Sequence, residues 1–154
     1  MGFKLANELK EQYGDKLEVL LFPCNQHGYQ NYHDKEEILN SLKHVRPGEG
    51  FISNCTLMEK CEVAGENIHP FWKTLINAMP LRNTTPQYEF ENPFGIQNNK
   101  TFRTAGWCPV VPQDVIWNFE WFLISPDGKP IKRYHPHPEK FEQPIKDDIK
   151  ELLS

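Results

Sequence analysis

Apolar residues recur along this chain with two periods. Leu5, Leu9 and Tyr13 stand four apart with Glu8, Lys10 and Glu11 on other faces, which predicts an opening helix stopped at Gly14-Asp15. Leu17 to Phe22 (LEVLLF) is an almost unbroken apolar run ended by Pro23, as expected of a strand covered on both faces. Asp34-Lys35-Glu36-Glu37 then leads into Ile38, Leu39, Leu42 and Val45, a helix with an Asp near its start and Pro47-Gly48 after its end. Thr56 to Val63 reads as a second strand before a turn at Ala64-Gly65, and His69 to Met79 as a helix with Pro70 in its first turn. From Leu81 to Gly106 the chain is rich in Asn, Thr and Pro without a sustained period, the pattern of a long surface loop. Asn118 to Ile124 and Ile131 to Tyr134 flank Ser125-Pro126-Asp127-Gly128 and predict an antiparallel hairpin. In Pro144 to Leu153, Ile145, Ile149, Leu152 and Leu153 share one face of a closing helix. The order is that of an α/β domain with a hairpin at one edge. The opening helix has a strand on one side only, whereas a crossover helix joins two parallel strands, so a further strand is expected ahead of Met1.

Length and charge narrow the functional classes. With 154 residues, 38% hydrophobic and 25% charged, the chain fits one globular domain over residues 1–154. Its 17 basic and 21 acidic residues give a net charge of −4 with no long block of either sign. That argues against a nucleic-acid or membrane partner and for a small or neutral one. No apolar run approaches the length of a membrane span. Cys24, Cys55, Cys61 and Cys108 are too few and too irregular for a disulfide scaffold and contain no CxxC pair, so reduced thiols are expected and a CxxC oxidoreductase is excluded.

Two segments carry candidate chemistry. Phe22-Pro23-Cys24-Asn25-Gln26-His27-Gly28-Tyr29-Gln30 lies at the carboxyl end of the first strand, where open α/β sheets place their sites. An uncharged amide such as that of Gln30 can steady an adjacent anion, although a polar loop with a packed Cys gives the same sequence. Trp117-Asn118-Phe119 enters the hairpin, where an indole N–H and an amide side by side would stabilise a thiolate or selenolate. Aromatics entering a strand are also common in cores. His135 and His137 lack a third ligand at suitable spacing, so no metal site is expected.

Taken in order, FPCNQ followed by G-x-Q, EEILNSLK-x-VRPG-x-GF, EKCEV, WNFE-x-FL and PDG-x-P resemble the glutathione peroxidase family across nearly the whole chain. The resemblance implies a thioredoxin-like fold with a central mixed sheet flanked by helices, and reduction of hydrogen peroxide or organic hydroperoxides with glutathione. It maps the family's supporting Gln onto Gln30 rather than Gln26, and its Trp-Asn pair onto Trp117 and Asn118. The family's selenocysteine or cysteine nucleophile would lie just ahead of Met1, and none of the four cysteines stands in its place. Lys132 and Arg133 in PIKRY match a basic pair that helps bind glutathione, two cations suiting a substrate with two carboxylates. For Lys132 a solvated strand position is the alternative. The resemblance implies Arg46 in VRPG as a second candidate for glutathione contact, from a neighbouring subunit. The helix EEILNSLKHVRP has no resolving Cys, which favours glutathione over thioredoxin as reductant. The Leu81 to Gly106 segment with VRPG-x-GF is similar to the larger tetrameric members, and EKCEV with IHPFW to the cytosolic ones, so a cytoplasmic homotetramer is expected, with secretion as the alternative compartment. The alternative is a non-catalytic thioredoxin-fold protein, derived from a peroxidase, that serves in binding or assembly.

Overall fold

In a computed structural model, the structure describes residues 2–32, 34–80, 106–111, 113–115, 117–134, 136 and 138–154. The Leu81 to Gly106 segment, apart from Gly106 itself, and His135 and His137 lie outside the described residues. Helix α1 (Gly2–Tyr13) forms where the four-residue spacing predicts it, and it ends in a short 3-10 turn, Gly14–Lys16. Strand β1 (Leu20–Leu21) is followed by helix α2 (Lys35–His44). Asp34 caps α2 by accepting from the backbone N–H of Glu37 at 2.9 Å, satisfying one of the donors that a helix start leaves over. Strand β2 (Thr56–Leu57) precedes helix α3 (Pro70–Ala78), where His69 accepts from Phe71 N–H and Pro70 occupies a first-turn position that needs no N–H. Strands β3 (Trp121–Ile124) and β4 (Pro130–Tyr134) form the hairpin, and helix α4 (Pro138–Leu152) closes the chain. Helix α4 begins earlier than the pattern predicts. Pro144 lies inside it rather than at its start, because the backbone is already helical when the chain reaches the residue that most resembles a first-turn proline.

Among the described residues the strands form two separate two-stranded sheets, parallel β1–β2 and antiparallel β3–β4. One continuous mixed sheet was expected. The regular ladder of β1 and β2 is also shorter than the apolar runs suggest. It runs Thr56 N–H to Val19 O and Met58 N–H to Leu21 O, then slips, so that Cys61 rather than Lys60 donates to Pro23 O. One extra residue on the second strand ends the pairing and turns Cys24 and the residues after it out of the ladder. Leu20 is left 44% exposed, a large apolar residue on a strand expected to be covered on both faces.

The hairpin alternates with period two between two cores. Trp121, Leu123 and Tyr134 pack with Leu5 and Leu9 of α1 and Ile145 and Ile149 of α4. Phe122 and Ile124 turn the other way, toward Trp72, Leu75 and Ile76 of α3 and Phe22. Phe22, Phe71, Trp72 and Phe122 meet through a stacked pair and edge contacts, with ring centroids 5.1 to 5.8 Å apart. The hairpin is therefore an inner layer with helices on both faces, which fixes the Trp117 to Glu120 segment leading into it.

Candidate functional site

The site is built where the loop after β1 meets the segment that enters β3. Gln26 organises the first side from inside. It is 7% exposed, its Oε1 accepts from Val63 N–H at 2.8 Å and Ala64 N–H at 3.2 Å, and its Nε2 donates to Ala64 O at 2.9 Å. Its backbone carbonyl accepts from Gly106 N–H at 2.9 Å, an approach close enough that a Cβ at position 106 would stand 3.0 Å from Gln26 Cα and O. Every polar atom of this side chain is used by backbone, so Gln26 is a brace. Gly28 and Tyr29 both take positive φ, 74° and 54°, and Tyr29 N–H returns to Asn25 O at 3.2 Å. This tight turn brings Gln30 out to the surface beside the hairpin entry.

There Asn118 Nδ2 donates to Gln30 Oε1 at 3.0 Å, joining residues 88 apart in sequence. The bond uses the Gln30 carbonyl, and among the described residues the Gln30 amide N–H groups and the second Asn118 N–H remain as donors. Trp117 is 40% exposed, with its ring centroid 6.1 Å from that of His27. The structure thus brings together Gln30 and Asn118, two of the residues that the sequence marked as supporting an anion, with Trp117 next to Asn118 in the chain. Phe119 follows with a left-handed φ of 62°, and its ring lies against Phe3 and over Gly2, where an added Cβ would collide with it. The first residues of α1, Gly2 and Phe3, consequently adjoin the Trp117-Asn118-Phe119 turn.

The cysteines do not supply that anion. The Cys24 thiol is buried, receives Gln26 N–H and donates to Gln26 Oε1, and burial pushes it above the usual thiol range. Burial raises Cys55 and Cys61 as well. Cys108 is exposed in the segment after Gly106.

The basic residues separate. Arg133, expected to face glutathione beside Lys132, is instead 1% exposed, which revises that expectation. Its Nε donates to Glu120 Oε1, its Nη1 to Met79 O at 3.1 Å and Gln113 O at 2.8 Å, and its Nη2 to Asp114 O at 2.9 Å, while the guanidinium lies 5.1 Å from the Phe122 ring centroid. A residue so enclosed cannot meet a solvent-borne carboxylate without unfolding its surroundings. Lys132 bonds both oxygens of Asp148 at 2.7 and 2.8 Å, and Tyr134 OH donates to the same carboxylate at 2.6 Å. Burial, and then that neighbouring carboxylate, hold the Tyr134 phenol far above its ordinary range. Arg46 is exposed just beyond α2, and no contact joins it to Gln30, Trp117 or Asn118 among the described residues.

Sequence reasoning missed three members of the site's support. Asp114 Oδ2 accepts from Trp107 Nε1 at 2.8 Å and Val111 N–H at 2.9 Å, tying down the chain ahead of Trp117. Glu120 is the buried counter-charge of Arg133, and its signal was a lone acid in the aromatic run WNFEWF. His27 is 3% exposed, with Nε2 2.9 Å from Val115 O. Burial lowers its pKa below the ordinary value of 6.5, while the Val115 bond and the Glu120 charge oppose the shift. The unfolded chain then takes up a proton near pH 6.5 that the folded chain refuses until lower pH, so stability is full above that pH and is lost as pH falls through the folded value. Urea denaturation at pH 7.5 and 5.5 should show a lower midpoint at 5.5, with the difference reduced in His27→Phe; equal pH sensitivity in the two proteins would refute the assignment.

Comparison with known proteins gives the family of the chain. The family model described as glutathione peroxidase matches residues 2–76. The chain is 46% identical over 149 residues to glutathione peroxidase 1 of Mus musculus, covering 96% of this chain and 69% of that protein. It is 43% identical over 151 residues to glutathione peroxidase 2 of Homo sapiens, covering 98% and 74%. Among solved structures, that of T. cruzi GPX1 matches with a TM-score of 0.55 at 23% identity, covering 99% of this chain and 71% of that one, a likeness of fold that bears out the thioredoxin-like α/β expectation. The identity to the mouse and human proteins, maintained over nearly all of its length, shows that this chain belongs to the glutathione peroxidase family.

Proposed function

We propose that this chain is the supporting part of a peroxidase site that reduces hydrogen peroxide or organic hydroperoxides with glutathione. The observation that carries the reading is the Asn118–Gln30 bond, which joins two neutral amides at the residue that follows Trp117 in the chain. Neutral donors stabilise a selenolate or thiolate without forming a competing ion pair. The nucleophile is a selenocysteine or cysteine ahead of Met1, since burial keeps three of the four thiols here protonated and none is bonded to the trio. Attack of the anion on one peroxide oxygen breaks the O–O bond and releases water or an alcohol. Two glutathione thiols then return the oxidised residue to its starting state as glutathione disulfide and a second water form.

Glutathione binding is assigned to Lys132 and Arg46 rather than Arg133, with Lys132 exchanging Asp148 for a substrate carboxylate. A homotetramer in the cytoplasm completes the proposal, resting on the resemblance of VRPG-x-GF, the Leu81 to Gly106 segment, EKCEV and IHPFW to the larger cytosolic members. No helix among the described residues is long and apolar enough to cross a membrane. The test is glutathione-dependent peroxide consumption by a polypeptide that includes the residues encoded ahead of Met1, beside residues 1–154 alone. Turnover by the longer protein only is expected. Turnover by residues 1–154 would overturn the location of the nucleophile, and none by either would overturn the peroxidase.

A further inference from the structure

His27 lies within the marked loop but was given no role there, yet its placement connects both halves. Two side-chain bonds run between the same two segments with the same offset of 88 residues: His27 to Val115, and Gln30 to Asn118. They are rungs three residues apart on each segment, so together they fix a register and not merely a contact. The rungs differ in strength. The amide rung is exposed, where water competes for both partners and a hydrogen bond contributes little net. The His27 rung is buried. A carbonyl only accepts, so Nε2 carries the proton, and breaking the bond would leave a buried donor and a buried carbonyl unsatisfied.

Packing adds direction. The His27 ring meets Trp107 edge-on with centroids 5.2 Å apart and Trp117 with centroids 6.1 Å apart. Trp107 is itself held by Asp114, so the imidazole is wedged between one fixed indole and the half-exposed indole of the candidate site. Removing the wedge gives Trp117 room to turn inward and carries Asn118 away from Gln30. We infer that His27 is a positioning residue, whose buried ring between Trp107 and Trp117, bonded to Val115 O, sets the register in which Trp117 and Asn118 meet Gln30. For catalysis the inference rests on the peroxidase reading, but the register does not.

The experiment is a 15N correlation spectrum of the chain and its His27→Ala, His27→Leu and His27→Phe variants, following the Asn118 side-chain amide and the four indole N–H signals. His27→Ala should displace the Trp117 and Asn118 signals and speed exchange of the Asn118 amide with water roughly five- to tenfold, while Trp72 and Trp121 stay in place. His27→Phe restores the wedge and should return Trp117 toward its original position. If His27→Ala moves all four indoles together, His27→Leu decides, because it fills the volume without a ring. Displacement of Trp117 and Asn118 alone supports the inference, and parental positions for both overturn it. In the peroxidase-competent protein His27→Ala should lower kcat for peroxide with KM for glutathione unchanged. Absence of turnover in the parent as well would overturn the peroxidase reading and leave the register to be decided by the spectra.

Discussion

Replacing Arg133 by methionine is expected to destabilise the domain by about 3 to 5 kcal/mol, the cost of breaking a buried ion pair from one side. Both side chains of the Arg133–Glu120 pair have no solvent exposure, so water could not take the place of the guanidinium beside the carboxylate. Arg133 also satisfies the carbonyls of Met79, Gln113 and Asp114, which belong to the end of α3 and the segment leading to Trp117. Its loss therefore loosens the site's support as well as the core. A second variant, Arg133→Met with Glu120→Leu, removes the buried carboxylate as well and should recover part of the stability, but not the part that came from the three carbonyls. Urea denaturation of both variants measures this. A single variant within about 1 kcal/mol of the parent would mean that the guanidinium reaches solvent and would restore Arg133 as a glutathione ligand.

The second large effect is on turnover. In the peroxidase-competent protein, Asn118→Ala or Gln30→Ala should lower kcat/KM for hydrogen peroxide by about a hundred- to a thousandfold, the loss typical of one donor aimed at developing negative charge. Stability should change little, because Gln30 is exposed and the two amides bond mainly to each other. Asn118→Asp separates electrostatics from packing. It keeps the size of the side chain but offers an anion where a donor is needed, so it should fall below Asn118→Ala in activity and raise the pKa of the nucleophile. The double variant should lose much less than the product of the single losses, since each single change already breaks the shared bond. Steady-state peroxide kinetics decide the matter: activity within about threefold of the parent in Asn118→Ala, against the expected hundredfold, would remove Asn118 from the site.

The sequence made the helices legible because each is amphipathic and capped by recognisable residues, Asp34 before α2 and Pro70 at the start of α3. The hairpin was legible from Pro126-Asp127-Gly128, where Gly128 takes a φ of 83° that other residues avoid. Strand lengths were less so. An apolar run records burial, and residues around Phe22 and Val63 are buried in a core without being in a ladder, because the one-residue slip at Cys61 ends the pairing.

From the residues alone, and the resemblance they carry, came the α/β class, the two chemical segments and the identity of Gln30, Trp117 and Asn118. The tertiary structure decided which polar groups face each other. Lys132 and Arg133 are neighbours in one strand, and alternation sends them to opposite faces. With helices covering both faces, alternation no longer distinguishes inside from outside, so only the packed structure shows that Arg133 is enclosed with Glu120 while Lys132 sits at the margin with Asp148. The same holds for His27, Gln26 and Gln30, three polar residues in one short loop. Partners brought from far along the chain assign two of them to the frame and one to the surface of the candidate site. Periodicity reports a residue's face, a local property of the backbone. Hydrogen-bond partnership is a property of the closed fold, and it separates the frame from the chemistry.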